Sequence, residues 1–101
     1  MNWNRKLTEL EMRALCNFVL DKDNRCTVVA NKYDPKYKDE GLDQTLYKYE
    51  RSDEYVFIVR QKGYIMNAVH IEGNEIDDFL TCWKDKKLTP YGQLKEGAMT
   101  K

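Results

Sequence analysis

Hydrophobic positions recur with two different periods along this chain. Over residues 8–21, Leu10, Ala14, Leu15, Phe18 and Val19 fall on one side of a helical wheel, the spacing of an amphipathic helix. Thr8 and Glu11 form a capping box at its start, the hydroxyl accepting from the Glu11 amide while the carboxylate reaches back. Leu7 and Met12 occupy the positions of a hydrophobic staple. The polar run Asp21-Lys22-Asp23-Asn24 ends the element, with Asn24 suited to a left-handed cap.

The period then changes. Thr27, Val28 and Val29 suit a pleated surface and predict a strand over 26–33, broken by Asp34-Pro35. Residues 34–43 read as a polar loop, of a length that is often either functional or mobile. Thr45 to Tyr49 alternates, and Arg51-Ser52-Asp53 makes a turn. The continuous apolar run Tyr55 to Val59 predicts a central strand buried on both faces. Lys62-Gly63 supplies a tight reversal into a returning strand over 64–71. A second helix is expected over 75–86, with Asn74 as N-cap and Glu75, Asp77 and Asp78 in a first turn that favours acids. Its stripe is Ile76, Phe79, Leu80 and Trp83.

The order α-β-β-β-β-α predicts an α+β fold: an antiparallel meander of three to four strands with both helices packed on one face, a two-layer sandwich. Phe18, Val56, Ile58, Phe79 and Trp83 are the expected core. One domain is expected over 1–92, with 93–101 as a frayed tail after Thr89-Pro90-Tyr91-Gly92. Trp3 has no periodic partner; folding back onto the core is expected ahead of anchoring a partner.

Composition narrows the class. With 101 residues, 42% hydrophobic and 12% aromatic, the chain can hide roughly two-thirds of its unfolded surface around one modest core. Its 17 basic and 17 acidic residues cancel, so no basic excess points to nonspecific nucleic-acid binding. Charge is segregated, however: residues 63–83 carry Glu72, Glu75, Asp77 and Asp78 without Lys or Arg, and the closing segment is lysine-rich. Cys16, Cys26 and Cys82 are odd in number and share no CxxC spacing, which suits free thiols in a reducing compartment. No run approaches the roughly 18 apolar residues of a membrane helix, so a cytoplasmic protein is expected.

Chemistry-bearing residues are sparse. His70, the single histidine, faces away from its neighbours Val69 and Ile71, and nothing local sets a cysteine nucleophile beside it. Asp21, Asp23 and Asn24 open like a calcium loop, but Cys26 and Lys32 stand where that loop needs Gly and Glu. The glycines are too dispersed for a phosphate loop. Neither a catalytic constellation, a metal site nor a cofactor is expected.

The interleaving of tyrosine and lysine is the most suggestive pattern. Lys32-Tyr33, Lys36-Tyr37-Lys38 and Tyr47-Lys48-Tyr49 put aromatic and basic side chains side by side, yet acids outnumber bases over residues 31–55. That mixture suits a protein interface, where Tyr is enriched, better than a phosphate track. Tyr33, Tyr37, Lys38, Tyr47 and Tyr49 are the candidate binding residues, with Tyr37 the leading anchor because no strand periodicity turns it inward. The α-β-β-β-α order is similar to double-stranded-RNA-binding domains in topology alone; the extra strand and the acidic Glu75-Ile76-Asp77-Asp78 count against that assignment. The expected function is a small non-catalytic protein-binding module, an inhibitor of a host or defence enzyme in the style of phage and mobile-element (anti-CRISPR-like) antagonists. An RNA- or nucleotide-binding domain using the tyrosine–lysine face is the alternative.

Overall fold

The computed structural model describes residues 3–95. Helix α1 (Glu9–Leu20) is followed by strands β1 (Cys26–Asp34), β2 (Leu42–Tyr49), β3 (Glu54–Gln61) and β4 (Tyr64–Glu72), then helix α2 (Ile76–Lys84). The strands form one antiparallel sheet in the order β1-β2-β3-β4. The α+β class and the meander are as the hydrophobic pattern predicts.

The layering differs from expectation. Phe57 and Val59 pack with Leu46, Val69, Ile71, Phe79 and Trp83 on the α2 side of the sheet. Val56 and Ile58 pack with Ala68, Cys16 and Val19 on the α1 side. The helices therefore cover opposite faces, and the molecule has three layers where two were expected. The reason lies in β3: Val56 to Val59 are all buried, and side chains alternate across a strand, so an unbroken apolar run needs cover on both sides.

Local signals set the ends of the elements. Thr8 and Glu11 complete the capping box of α1, at 3.0 and 3.2 Å. Lys62 and Gly63 both take positive φ, 51° and 79°, the geometry of a primed hairpin turn. Asn74 does not cap α2. A 3₁₀ turn over Gly73–Glu75 precedes it, anchored by the Gly73 amide donating to the Asp53 carbonyl at 2.8 Å, and the chain enters the helix at Ile76.

The buried stripe of α1 is also rotated from the predicted one. Cys16 and Val19 are buried, with Met12, Leu15 and Phe18 partly so, while Leu10 and Ala14 face solvent. On α2, Cys82 is buried where Leu80 was expected. Trp3 folds back as anticipated: it is 1% exposed, meets Phe79 edge-on at 5.1 Å, and its indole Nε1–H donates to Asp78 Oδ2 at 3.1 Å.

Residues 93–95 are not frayed. Leu88 and Leu94 pair in a short bridge, the Lys95 amide donates to the Lys87 carbonyl, and the Leu94 amide reaches Asn4 Oδ1. Gly92, at φ 82°, lies against Phe57 so closely that a Cβ there would stand 2.6 Å from the ring. The remainder of the expected tail, 96–101, lies outside the described residues. Among the described residues, no helix is long and apolar enough to cross a membrane.

Candidate functional site

The sheet is unevenly covered. On the α1 side the helix lies chiefly over β3 and β4, so the outer part of that face, along Val28, Asn31 and Tyr33 of β1, stays exposed, while Thr45 of β2 is buried and Tyr47 and Cys26 pack against the core. Register places Val28 opposite Tyr47, Asn31 opposite Thr45 and Tyr33 opposite Asp43 on this face. Val28 is 59% exposed and Tyr33 63%. Val29, also exposed, is the extra residue of a bulge between Val28 and Ala30. β1 is an edge of the sheet, so its outer side has no strand neighbour among the described residues.

Between these apolar side chains runs a bonded polar array. Asn31 Nδ2 donates to Asp43 Oδ1 and Thr45 Oγ1, each at 2.8 Å, and the Thr45 hydroxyl donates to Asp43 Oδ2 at 3.0 Å. Arg60 extends the array: its guanidinium donates to the Tyr47 hydroxyl at 3.2 Å and to Cys16 Sγ at 3.7 Å, and stands 3.9 Å from Asp43 Oδ2. Burial works against the Arg60 charge, but the contacts with Tyr47 and Cys16 outweigh it and hold the proton more firmly than usual. Side chains locked in this way lose little further entropy when a partner lands on them. A shallow cavity of about 340 Å³, lined by Tyr33, Gly41, Asp43, Arg60 and Lys62, adjoins the array.

The five predicted binding residues do not share one surface. Tyr33 and Tyr47 lie on the open face. Tyr49 is on the same side of the sheet but meets Phe18 edge-on at 4.9 Å, under the end of α1. Tyr37 belongs to the α2 side: it is half-buried and edge-on to Tyr91 at 6.4 Å, so its ring packs against the core where it was expected to stand free. Lys38 follows it there. A pair of left-handed residues, Lys38 at φ 49° and Asp39 at 59°, turns the Lys38 ammonium over Tyr37 and Tyr91, at 5.4 and 6.0 Å. Tyr37 first and Tyr91 second raise its pKa. Lysines elsewhere are also set on rings, Lys32 over Trp83 at 4.7 Å and Lys48 over Tyr55 at 5.8 Å.

The nucleophile and base candidates do not converge. His70 lies on the α1 side and its Nε2 is 2.8 Å from Glu54 Oε1; Glu54 in turn accepts from the Ser52 hydroxyl. Ser52 and then His70 lower the Glu54 pKa. Burial pushes the Cys26 and Cys82 thiols up, assisted by Glu50 and Asp78 respectively, which keeps both as thiols at neutral pH. All three cysteines are unpaired. Among the described residues, no group of three or more His, Cys, Asp or Glu side chains could hold a metal ion.

Arg60, Asn31, Asp43 and Thr45 were not singled out by sequence reasoning. The available signal was polar residues at inward-alternating strand positions, but only the strand register brings the four together. No protein-family model, curated protein or solved structure matches this chain.

Proposed function

We propose that this protein is a small non-catalytic module that acts in the cytoplasm by occupying a surface on a protein partner, an enzyme or complex of a host cell, in the manner of inhibitors made by phages and mobile elements. The observation that carries this reading is the open β1–β2 face: Val28, Val29 and Tyr33 exposed around a hydrogen-bonded Asn31–Asp43–Thr45–Arg60 array. Exposed apolar and aromatic side chains around a fixed polar array resemble the centre of a protein interface, where Tyr and Arg are enriched. Inhibition then follows by occlusion, a rigid 12.0 kDa body seated over a working surface. Lys32, Lys38 and Lys48 each lie over aromatic rings, which supports a protein partner ahead of a nucleic-acid track.

The test is affinity capture from cell extract with the wild-type chain and a Val28→Glu/Tyr33→Ala double variant, both positions being exposed. A protein retained by the wild type at moderate salt and lost from an equally stable variant supports the reading. Equal retention by both, or retention only of material removed by nuclease, overturns it.

A further inference from the structure

The apolar surface of α1 is wider than the sheet covers. Met12, Cys16 and Val19 face the sheet, and the apolar arc continues through Leu15 and Phe18 to the exposed Ala14 and Leu10. Beside that flank runs a groove of about 350 Å³, predominantly apolar, lined by Leu7, Glu11, Ala14, Leu15, Phe18 and His70, with Arg5 at one end. Its helical lining residues, Glu11 to Phe18, span about two turns, roughly 10 Å along the helix.

A second cavity of about 520 Å³ adjoins the groove, sharing Arg5, Leu7 and His70 and adding Trp3, Glu72 and Glu75. Trp3, on the wall of the second cavity alone, is held in place: it is buried against Phe79 and bonded to Asp78. Charge around the two cavities is one-sided. Among the described residues, Glu11, Glu72 and the already engaged Glu75 line them with Arg5 as the one Lys or Arg, and Arg5 stands 4.0 Å from Glu11. Glu54, on His70, adds a further carboxylate. Glu72 also sits directly opposite Glu54 across β3 and β4, a like-charge pairing that weakens a sheet.

We infer that this groove is a second interaction surface, which takes a cationic amphipathic helix of a partner protein. The helix lays its apolar side along Leu7, Ala14, Leu15 and Phe18, and a Lys or Arg side chain enters the acid-lined cavity beside Glu72. An apolar trough fits an amphipathic helix by its spaced anchors, and the surrounding carboxylates select the basic kind. The groove lies on the flank of α1 away from Cys16 and the Arg60 that contacts it; it meets β2 only through the Phe18–Tyr49 contact and lies apart from the exposed Val28 and Tyr33.

The probe is a fluorescein-labelled leucine–lysine peptide of helical amphipathic pattern, with a leucine–glutamate peptide of the same pattern as control, read by anisotropy at low and moderate salt. The lysine peptide should bind saturably, more weakly as salt rises, and the glutamate peptide should not bind. Ala14→Arg keeps a strong helix former at an exposed position while filling the groove with a like charge, and should weaken binding by about tenfold or more. Leu20→Arg adds the same charge to the other flank of the same helix and should leave binding unchanged. Glu72→Gln should weaken it about threefold, and Val28→Glu/Tyr33→Ala should not affect it. Failure of the lysine peptide to bind, binding of both peptides alike, or equal losses for Ala14→Arg and Leu20→Arg would each overturn the inference.

Discussion

Trp3 tests whether the segment ahead of α1 belongs to the core. Its side chain is 1% exposed. A buried tryptophan removes about 200–250 Å² from water, and at about 25 cal/mol per Å² that is about 5–6 kcal/mol. Residual burial in the unfolded chain trims the figure to about 4 kcal/mol, within the range of about 3–5 kcal/mol measured for aromatic truncations in cores. Trp3→Ala should therefore remove a large part of a stability of about 5–15 kcal/mol. Trp3→Phe separates the contributions: a ring still meets Phe79, while the 3.1 Å bond to Asp78 is lost. Asp78 is exposed and is resolvated by water, so that variant should cost only about 1–2 kcal/mol. Urea melts followed by circular dichroism and by Trp83 emission read both. With a slope near 1.5 kcal/mol per M, the Ala variant should lower the midpoint by about 2–3 M. A loss below about 1 kcal/mol for Trp3→Ala, or equal losses for Ala and Phe, would refute the placement.

Three further expectations use the same melts. Gly92→Ala combines positive φ with a Cβ 2.6 Å from the Phe57 ring and should cost about 2–4 kcal/mol, whereas Gly63→Ala, at positive φ in open space, should cost about 1 kcal/mol; equal effects would contradict the packing. Tyr37→Ala should lower stability by about 1–3 kcal/mol because the ring packs against Tyr91 and the core, while Tyr33→Ala should change it by less than about 0.5 kcal/mol. Glu54 has a pKa lowered in the fold by Ser52 and His70, so its contribution is present above the unfolded value of about 4.3 and is lost as pH falls through the lower folded value. The midpoint difference between wild type and Glu54→Gln, at most about 1 kcal/mol for so exposed a carboxylate, should vanish in that acid window; a difference that persists below it would contradict the assignment.

What could be read from the sequence was what neighbours in sequence decide. The Thr8–Glu11 capping box, the Lys62-Gly63 turn and the apolar run of β3 are local, and each stands where its residues place it. The run over Tyr55 to Val59 already implied cover on both faces, which the expectation of two helices on one face contradicted. The rotation of α1 was harder to read, since an apolar arc reaching from Leu10 to Cys16 does not say which part of it meets the sheet. The surplus is the wall of the groove. Tyr37 looked free because loops carry no periodicity, and its partner Tyr91 arrives from the far end of the chain. The Asn31–Asp43–Thr45–Arg60 array depends on the pairing of β1, β2 and β3, a set of contacts between distant segments that no local pattern encodes.

Hydrogen–deuterium exchange of the captured complex tests the central claim most directly. In the free protein, amides on the outer edge of β1 should exchange within the earliest time points, because no strand among the described residues neighbours that edge. Bound to its partner, the protein should gain protection over Cys26–Asp34 and around Asp43–Tyr47, with α2 unchanged. Protection confined to α2, or a β1 that exchanges equally fast free and bound, would contradict the assignment of the β1–β2 face as the binding surface.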